Sequence, residues 1–306
     1  MGGTEIMENE ERWVFLNGEY KRKAEATISV FDHGFLYGDG VFEGIRVYSG
    51  NVFRLHEHMV RLYESAKSIL LDIPYTLDEL EAYVVETVRK NQLLDAYIRL
   101  IVSRGDGPLG LDPAECEIAN VIVIVDKIQI YSQELYDKGL TAVTVPTRRN
   151  IPDALNPRVK SLNYLNNILA KAEAKQAGAG EAIILSSDGY VTEGSSDNIF
   201  IVKDDVIYTP PCYLGALKGI TRQSILDIAG ELGLQVKEEP FTRHDIFNAD
   251  EVFLTGTAAE VISVVQVDGR PIGEGVPGPV SKDLVTQFRK LVTVDGISAF
   301  PAEVKA

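Results

Sequence analysis

Apolar positions recur along this chain with two different periods. Trp13–Leu16 reads as a short strand, Asn17-Gly18 as a turn, and the chain returns toward Tyr20. A second hairpin is expected from Val41–Tyr48 and Val52–Leu55 around Ser49-Gly50-Asn51. From His56 to Leu70 the period changes. Met59, Leu62, Tyr63, Ala66, Ile69 and Leu70 follow the i, i+3, i+4 spacing of an amphipathic helix. Thr76 with Glu79 three positions on is a capping box, and it predicts a second helix to about Asn91. Tyr97–Ser103 and Ile118–Val125 read as buried strands, so this region is an antiparallel sheet with a helix pair.

Between Asp126 and Gly139 the periodicity weakens. We therefore expect a small domain over 1–126, a connection over 127–139 and a larger domain over 140–306. The larger part opens with the strand Leu140–Val145. Short strands follow at Ala182–Leu185, Ile199–Val202, Val206–Tyr208, Glu251–Thr255 and Val261–Val267. Helices are expected at Ser161–Gln176, Ile220–Leu232 and Val280–Leu291. Strands this closely spaced, joined by Asp-Gly and Asp-Asp turns, predict a β-rich domain with packed helices, in an α/β (α+β) chain of two domains.

Composition narrows the function classes. The 306 residues are 45% hydrophobic and 25% charged, which suits a water-soluble globular protein. The 30 basic residues against 45 acidic ones leave a net charge of −15, which disfavours nucleic acid and anionic membrane as partners. The two cysteines, Cys116 and Cys212, make no disulfide framework, and no Cys/His cluster has metal-site spacing. Met1 to Glu11 lacks a signal-peptide pattern, and no run of about 18 apolar residues occurs, so a cytoplasmic location is expected.

Several side chains could carry chemistry. Lys160, in Asn156-Pro157-Arg158-Val159-Lys160-Ser161, sits just ahead of a predicted helix. A lysine that is desolvated, or close to another cation, loses its proton readily and can form a Schiff base. Tyr164, four residues on, would on a helix share a face with it or point into the same cleft, and could hydrogen-bond an anionic ring oxygen. Glu193, at a strand end before Gly194, could keep a pyridine nitrogen protonated. Gly219-Ile220-Thr221-Arg222 opens a strong helix, with Thr221 as its expected N-cap and free N–H groups for an anion. The turn after Thr255, through Gly256-Thr257-Ala258-Ala259, could present hydroxyls and amides to a phosphate or carboxylate. Arg61 lies on the first predicted helix. Each of these alone has an ordinary structural explanation. Taken together, they match what a pyridoxal-phosphate enzyme asks of its protein.

Motifs across most of the chain make the resemblance specific. They are Ser29-Val30-Phe31-Asp32-His33-Gly34, Tyr37-Gly38-Asp39-Gly40-Val41-Phe42-Glu43-Gly44-Ile45-Arg46, the helix from His56, Tyr97-Ile98-Arg99, Lys160-Ser161-Leu162-Asn163-Tyr164-Leu165, Glu193-Gly194, Leu217-Lys218-Gly219-Ile220-Thr221-Arg222 and Gly256-Thr257-Ala258-Ala259-Glu260. In order and spacing they resemble the fold-type-IV pyridoxal-phosphate enzymes, and within them the branched-chain amino acid aminotransferases. The resemblance implies a small α/β domain beside a larger, β-barrel-like domain with packed helices. It implies that Lys160 forms the aldimine and shuttles the proton, that Tyr164 contacts the ring oxygen, and that Glu193 holds the pyridine nitrogen protonated. Leu217 would pack on the ring, and Arg61, Ile220, Thr221 and Thr257 would bind the phosphate.

For the substrate, the resemblance implies that the Thr257 and Ala258 amides take the α-carboxylate, with Tyr97 and indirectly Arg99. Phe42 and Tyr37 would line the apolar side-chain pocket. The loop around Leu109 and Leu111 would close the pocket of a neighbouring subunit, so a homodimer or higher homo-oligomer is implied. The implied reaction is ping-pong transfer from leucine, isoleucine or valine to 2-oxoglutarate, so the small-molecule partners are an amino acid and a 2-oxo acid. His33 is read as structural, and Asp39 and Glu43 as hydrogen-bonding and dimer-contact residues. The nearest rivals are a D-amino acid or (R)-amine transaminase and aminodeoxychorismate lyase. The loop Gly107-Pro108-Leu109-Gly110-Leu111 lacks the Arg-x-His trap of the D-amino acid enzymes, which favours the branched-chain reading.

Overall fold

The computed structural model describes residues 11–128 and 131–300. The chain divides into two compact units. The first comprises Met1–Ile128, Val159–Asn163 and Val292–Ala306, and the second Gln129–Arg158 and Tyr164–Leu291.

The first unit is built on a seven-stranded antiparallel sheet. Its order is Gly296–Ser298, Asn51–Phe53, Gly40–Tyr48, Ala96–Ser103, Asn120–Asp126, Trp13–Leu16 and Glu19–Arg22. The helices Leu55–Ser68 and Leu77–Asn91 pack on it. Leu55, Met59, Leu62 and Ala66 of the first helix and Leu80, Val84 and Val88 of the second share one core with Val41, Ile45 and Val47 of the strand Gly40–Tyr48. Side chains alternate across a strand, so Val41, Glu43, Ile45 and Val47 fall on one face, and Phe42, Gly44 and Arg46 on the other. That alternation divides the first unit's candidate residues into two groups.

The second unit carries a nine-stranded mixed sheet. Its order is Gln235–Glu238, Val206–Thr209, Asn198–Lys203, Glu251–Gly256, Glu260–Val267, Leu140–Arg148, Glu181–Leu185 and Val191–Gly194, with Arg270–Pro271 beside Glu260–Val267. The pairings of Leu140–Arg148 with both of its neighbours are parallel, as is that of Val206–Thr209 with Gln235–Glu238. Fully buried strands such as Glu181–Leu185 read as continuous apolar runs for this reason. Ala170 and Ala174 of the helix Leu165–Gln176 pack on Val145, Ala182 and Ile184. The mixed α/β class expected from the sequence is the class observed.

Three local expectations are corrected. The helix expected from Ser161 begins at Leu165, because residues 160–162 are extended and pair with the strand Gly40–Tyr48. The N-cap of the helix Ile220–Glu231 is Gly219, and Thr221 lies inside the helix. A Cβ at Gly219 would collide with Asn198 Oδ1, so a threonine cap has no room there. The strand expected over Val52–Leu55 stops at Phe53, where Arg54 turns left-handed (φ 44) and Leu55 starts a helix. The expected connection contains the helix Gln133–Lys138, and its Gln129 and Ile130 lie outside the described residues.

Candidate active site

In the first unit, Lys160 is fixed by its backbone. The Phe42 N–H donates to the Lys160 carbonyl (3.0 Å), the Leu162 N–H donates to the Gly40 carbonyl (2.9 Å), and the Lys160 N–H donates to Ser65 Oγ (3.2 Å). Gly40 permits this approach, since a Cβ there would lie 2.6 Å from both the Val102 carbonyl and the Leu162 side chain. Lys160 Nζ lies 4.5 Å from the centre of the Phe42 ring, and the Arg99 guanidinium lies 4.6 Å from the same ring and 5.5 Å from that of Tyr97. The pairing of Gly44 with Arg99 and of Arg46 with Tyr97 sets these side chains on one sheet face. A Cβ at Gly44 would collide with the Tyr97 hydroxyl, so the tyrosine lies across the glycine. The structure thus brings Lys160, Phe42, Tyr97 and Arg99 together.

Arg61 belongs to the other face. Its Nε and Nη2 donate to the two oxygens of Glu43, both at 2.7 Å, and His58 Nδ1 lies 2.7 Å from Glu43 Oε2. All three residues are buried. Burial alone would raise the Glu43 pKa, but Arg61, and after it His58, hold the carboxyl well below the usual carboxylate range. Burial pushes His58 down, although Glu43 opposes the shift. The neutral imidazole this favours leaves Arg61 as the cation that keeps Glu43 ionised. His58, Arg61 and Ser65 all lie on the buried stripe of their helix, so the helical period itself marks them as polar groups pointing inward.

Tyr37, Leu109 and Leu111 form a third group. The Tyr37 hydroxyl donates to the Leu109 carbonyl (2.8 Å), and His33 Nε2 lies 2.8 Å from the Pro108 carbonyl oxygen. Leu109 and Leu111 are 70% and 79% exposed, so no described residue of this chain covers them. Asp32 caps the short helix His33–Tyr37 and accepts from Ser103 Oγ (2.7 Å) and Asn120 Nδ2 (2.6 Å). Asp39 pairs with Arg104 through both carboxylate oxygens.

In the second unit, Glu193 is buried on the strand Val191–Gly194. Its Oε1 lies 2.6 Å from Arg149 Nη2, and its Oε2 accepts from the Leu217 N–H (2.8 Å) and Asn198 Nδ2 (3.4 Å). Asn198 Nδ2 also donates to the Leu217 carbonyl (2.8 Å), which fixes Leu217 beside the carboxylate. Gly219 then opens the helix Ile220–Glu231, whose first N–H groups have no acceptor within the helix. Thr257 and Ala258 sit in the turn between the strands Glu251–Gly256 and Glu260–Val267. Thr255 faces Asn198 in the sheet register, and its buried hydroxyl has no hydrogen-bond partner among the described residues. Tyr164 is the half-buried cap of the helix Leu165–Gln176, so the shared helix face expected for it and Lys160 is not formed.

Sequence reasoning missed Arg149, Asn198 and a further carboxylate pair. Glu181 and Asp197 are both buried, and Lys171 Nζ lies 2.6 Å from Glu181. Burial first, and then Glu181, push Asp197 up to about 7. No local pattern marks these residues, because their partners come from distant strands. Burial also pushes both thiols, Cys116 and Cys212, upward, away from the thiolate a nucleophile needs. Among the described residues, no helix is long and apolar enough to cross a membrane.

Comparison with known proteins gives the family. The model of the amino-transferase class IV family matches residues 40–267. A Methanocaldococcus jannaschii protein, provisionally named a branched-chain-amino-acid aminotransferase, is 50% identical over 94% of this chain and 99% of its own. The crystal structure of the Escherichia coli branched-chain amino acid aminotransferase superposes with a TM-score of 0.90 at 38% identity, covering 95% of this chain and 98% of that one. That of a T.th. branched-chain amino acid aminotransferase with pyridoxamine 5'-phosphate gives 0.89 at 40% identity, over 92% and 94%. This chain belongs to the class IV aminotransferases.

Proposed function

We propose that this aminotransferase uses pyridoxal 5'-phosphate to move the amino group of leucine, isoleucine or valine to 2-oxoglutarate, in two half-reactions. The observation that carries the reading is Lys160 Nζ 4.5 Å from the centre of the Phe42 ring, with Arg99 over the same ring. It sets a primary amine beside an apolar surface that a branched side chain can use, backed by a cation that tolerates a carboxylate. The other residues suit the cofactor. The Thr255 hydroxyl, which has no partner among the described residues, and the glycine-capped helix start at Gly219 are donors of the kind a phosphate needs, and Arg61, its Nε and Nη2 held by Glu43, adds a fixed positive charge.

When bound, the cofactor supplies the electron sink that makes the substrate α-hydrogen acidic. Lys160 would hold the cofactor through its amine and would move the proton at the substrate α-carbon. Tyr164 contacts the ring oxygen, Glu193 keeps the ring nitrogen protonated, and Leu217 packs on the ring. Arg61, Ile220, Thr221 and Thr257 hold the phosphate. The Thr257 and Ala258 amides and Tyr97 take the substrate α-carboxylate, and Arg99 assists. Phe42 and Tyr37 meet the side chain. The exposed Leu109 and Leu111 cover the site of a second copy, so the working form is a homodimer or larger.

The test follows the visible band of the holoprotein as L-leucine, D-alanine and an (R)-amine are added one at a time. Prompt bleaching by L-leucine is expected. Bleaching by D-alanine but not by L-leucine would overturn the substrate assignment. Lys160→Ala should lower turnover by at least about 10³-fold with an unchanged circular dichroism spectrum. Near-normal turnover would remove Lys160 from the chemistry.

A further inference from the structure

Arg149 is the least expected group near Glu193. It follows the strand Leu140–Arg148, and its N–H donates to the Leu185 carbonyl (2.9 Å), so its backbone is anchored in the sheet. Its side chain is buried and held on several sides. Nε donates to the Gly215 carbonyl (3.0 Å), Nη1 to Asn167 Oδ1 (3.0 Å) and Asn166 Oδ1 (3.3 Å), and Nη2 lies 2.6 Å from Glu193 Oε1. Gly215 adopts a left-handed backbone (φ +112), and a Cβ there would press on Arg149 Cγ at 3.2 Å. An arginine meeting this many fixed acceptors is a rigid mount, not a swinging arm.

We propose that Arg149 is a positioning residue for the reaction, acting through Glu193 and resting on the reading of Glu193 as the partner of the ring nitrogen. A carboxylate this far from water keeps its charge only where a cation and hydrogen-bond donors replace the water. Arg149 supplies that cation, and the Leu217 N–H supplies a donor on the other oxygen. The same cation also lowers the carboxylate's pull on any further proton. Arg149 thus fixes both where the carboxylate points and how strongly it holds the proton on the ring nitrogen. Asn166 and Asn167, at the start of the helix Leu165–Gln176, couple that helix to the setting.

The experiment is a double-variant cycle on the holoprotein with two readouts. One is the rate of the first half-reaction with L-leucine, and the other is the pH midpoint of the visible band of the bound cofactor. Arg149→Met should slow the half-reaction by about 10- to 100-fold and move the midpoint upward, because a positive charge that resists protonation is gone. In a Glu193→Gln background the same change should cost less than about threefold, since a residue acting through Glu193 has nothing left to act on. Losses that multiply across the cycle, or a midpoint that does not move, overturn the role of Arg149 alone. A Glu193→Gln protein with unchanged rate and spectrum overturns the reading of Glu193, and the inference with it. If Arg149→Met does not fold, Arg149→Lys decides. It keeps the charge and loses the fork, so its midpoint should stay near the parent's while its rate falls. A Lys variant with the parent's rate overturns the positioning role.

Discussion

Glu43 and Glu193 are buried carboxylates, one in each unit, and each meets an arginine. They use it in opposite ways. Glu43 gives both oxygens to the fork of Arg61 and shares one with His58. Here the carboxylate is the mount, and the arginine is the group it presents. Glu193 Oε1 lies 2.6 Å from Arg149 Nη2 and its Oε2 accepts from the Leu217 N–H and Asn198 Nδ2, while Arg149 Nε and Nη1 bond to Gly215, Asn166 and Asn167. There the arginine is the mount. Burial and charge pairing alone would rank the two pairs as equivalent. The distribution of hydrogen bonds tells which member is held and which does the holding.

Substitution at these two positions should produce the largest effects and separate them by kind. Glu193→Gln is expected to lower the rate of the first half-reaction by about 10²- to 10³-fold, the scale of a lost electrostatic contact in a reacting site, with a smaller loss of stability than Glu43→Gln because Arg149 keeps its bonds to Gly215, Asn166 and Asn167. Glu43→Gln strands the buried guanidinium of Arg61. It should lower unfolding stability by about 3 kcal/mol in urea titrations and weaken cofactor binding as well. Equal losses of rate and stability in the two variants would erase the distinction.

The sequence made one of these carboxylates easier to understand than the other. His58 and Arg61 sit on an amphipathic helix whose period shows that they point inward, and Glu43 sits at an odd, core-facing position of a strand. Spacing thus marks Arg61 and Glu43 as inward-pointing, although nothing in it pairs them with each other. Most of the longer strands and helices and the Thr76 capping box were legible for the same reason, since they depend on neighbours along the chain, whereas short elements such as Gln235–Glu238, Gly296–Ser298 and Arg243–Phe247 were not. The environment of Glu193 was not. Arg149, Leu217 and Asn198 come from three distant segments, and no local pattern states that they meet. The start of the helix at Leu165 was missed likewise, because pairing with the strand Gly40–Tyr48 overrides the helical propensity of residues 160–164.

A third buried carboxylate shows what happens without an arginine. Asp197 faces Glu181, Glu193 and the ammonium of Lys171, and burial followed by Glu181 pushes it from 3.8 up to about 7. The folded chain therefore keeps a proton that the unfolded chain has released over that interval. Its contribution to stability is whole below 3.8 and is lost as pH rises through about 7. Glu43 behaves in the opposite sense. Its folded pKa lies below the usual 4.5, so its contribution is whole above 4.5 and is lost as acid is added below that. His58, depressed from 6.5, likewise contributes fully above 6.5 and loses that contribution as pH falls. Asp197→Asn should remove a slope of up to about 1.4 kcal/mol per pH unit. Urea unfolding at a series of pH values between 3.8 and about 7 should show the variant gaining on the parent as pH rises. A difference independent of pH would mean that folded Asp197 is ionised throughout.

The smallest effect serves as the control for the others. Thr76 Oγ1 accepts from the Glu79 N–H (3.3 Å), and Glu79 Oε2 accepts in return from the Thr76 N–H (2.8 Å), closing the capping box of the helix Leu77–Asn91. Thr76→Ala should cost about 1 kcal/mol of stability and leave the half-reaction rate and the visible band unchanged. The reason lies in the packing. Leu80 and Val84 of this helix share a core with Leu55, Met59 and Leu62 of the helix that carries His58 and Arg61, while the cap's own hydrogen bonds close on Thr76 and Glu79. Loss of the cap therefore weakens the common core without touching the ion pair. If Thr76→Ala slowed the reaction as much as Glu43→Gln, the mounting of Arg61 would depend on the helix layer as a whole, and the rate effect at Glu43 could not be assigned to its pair.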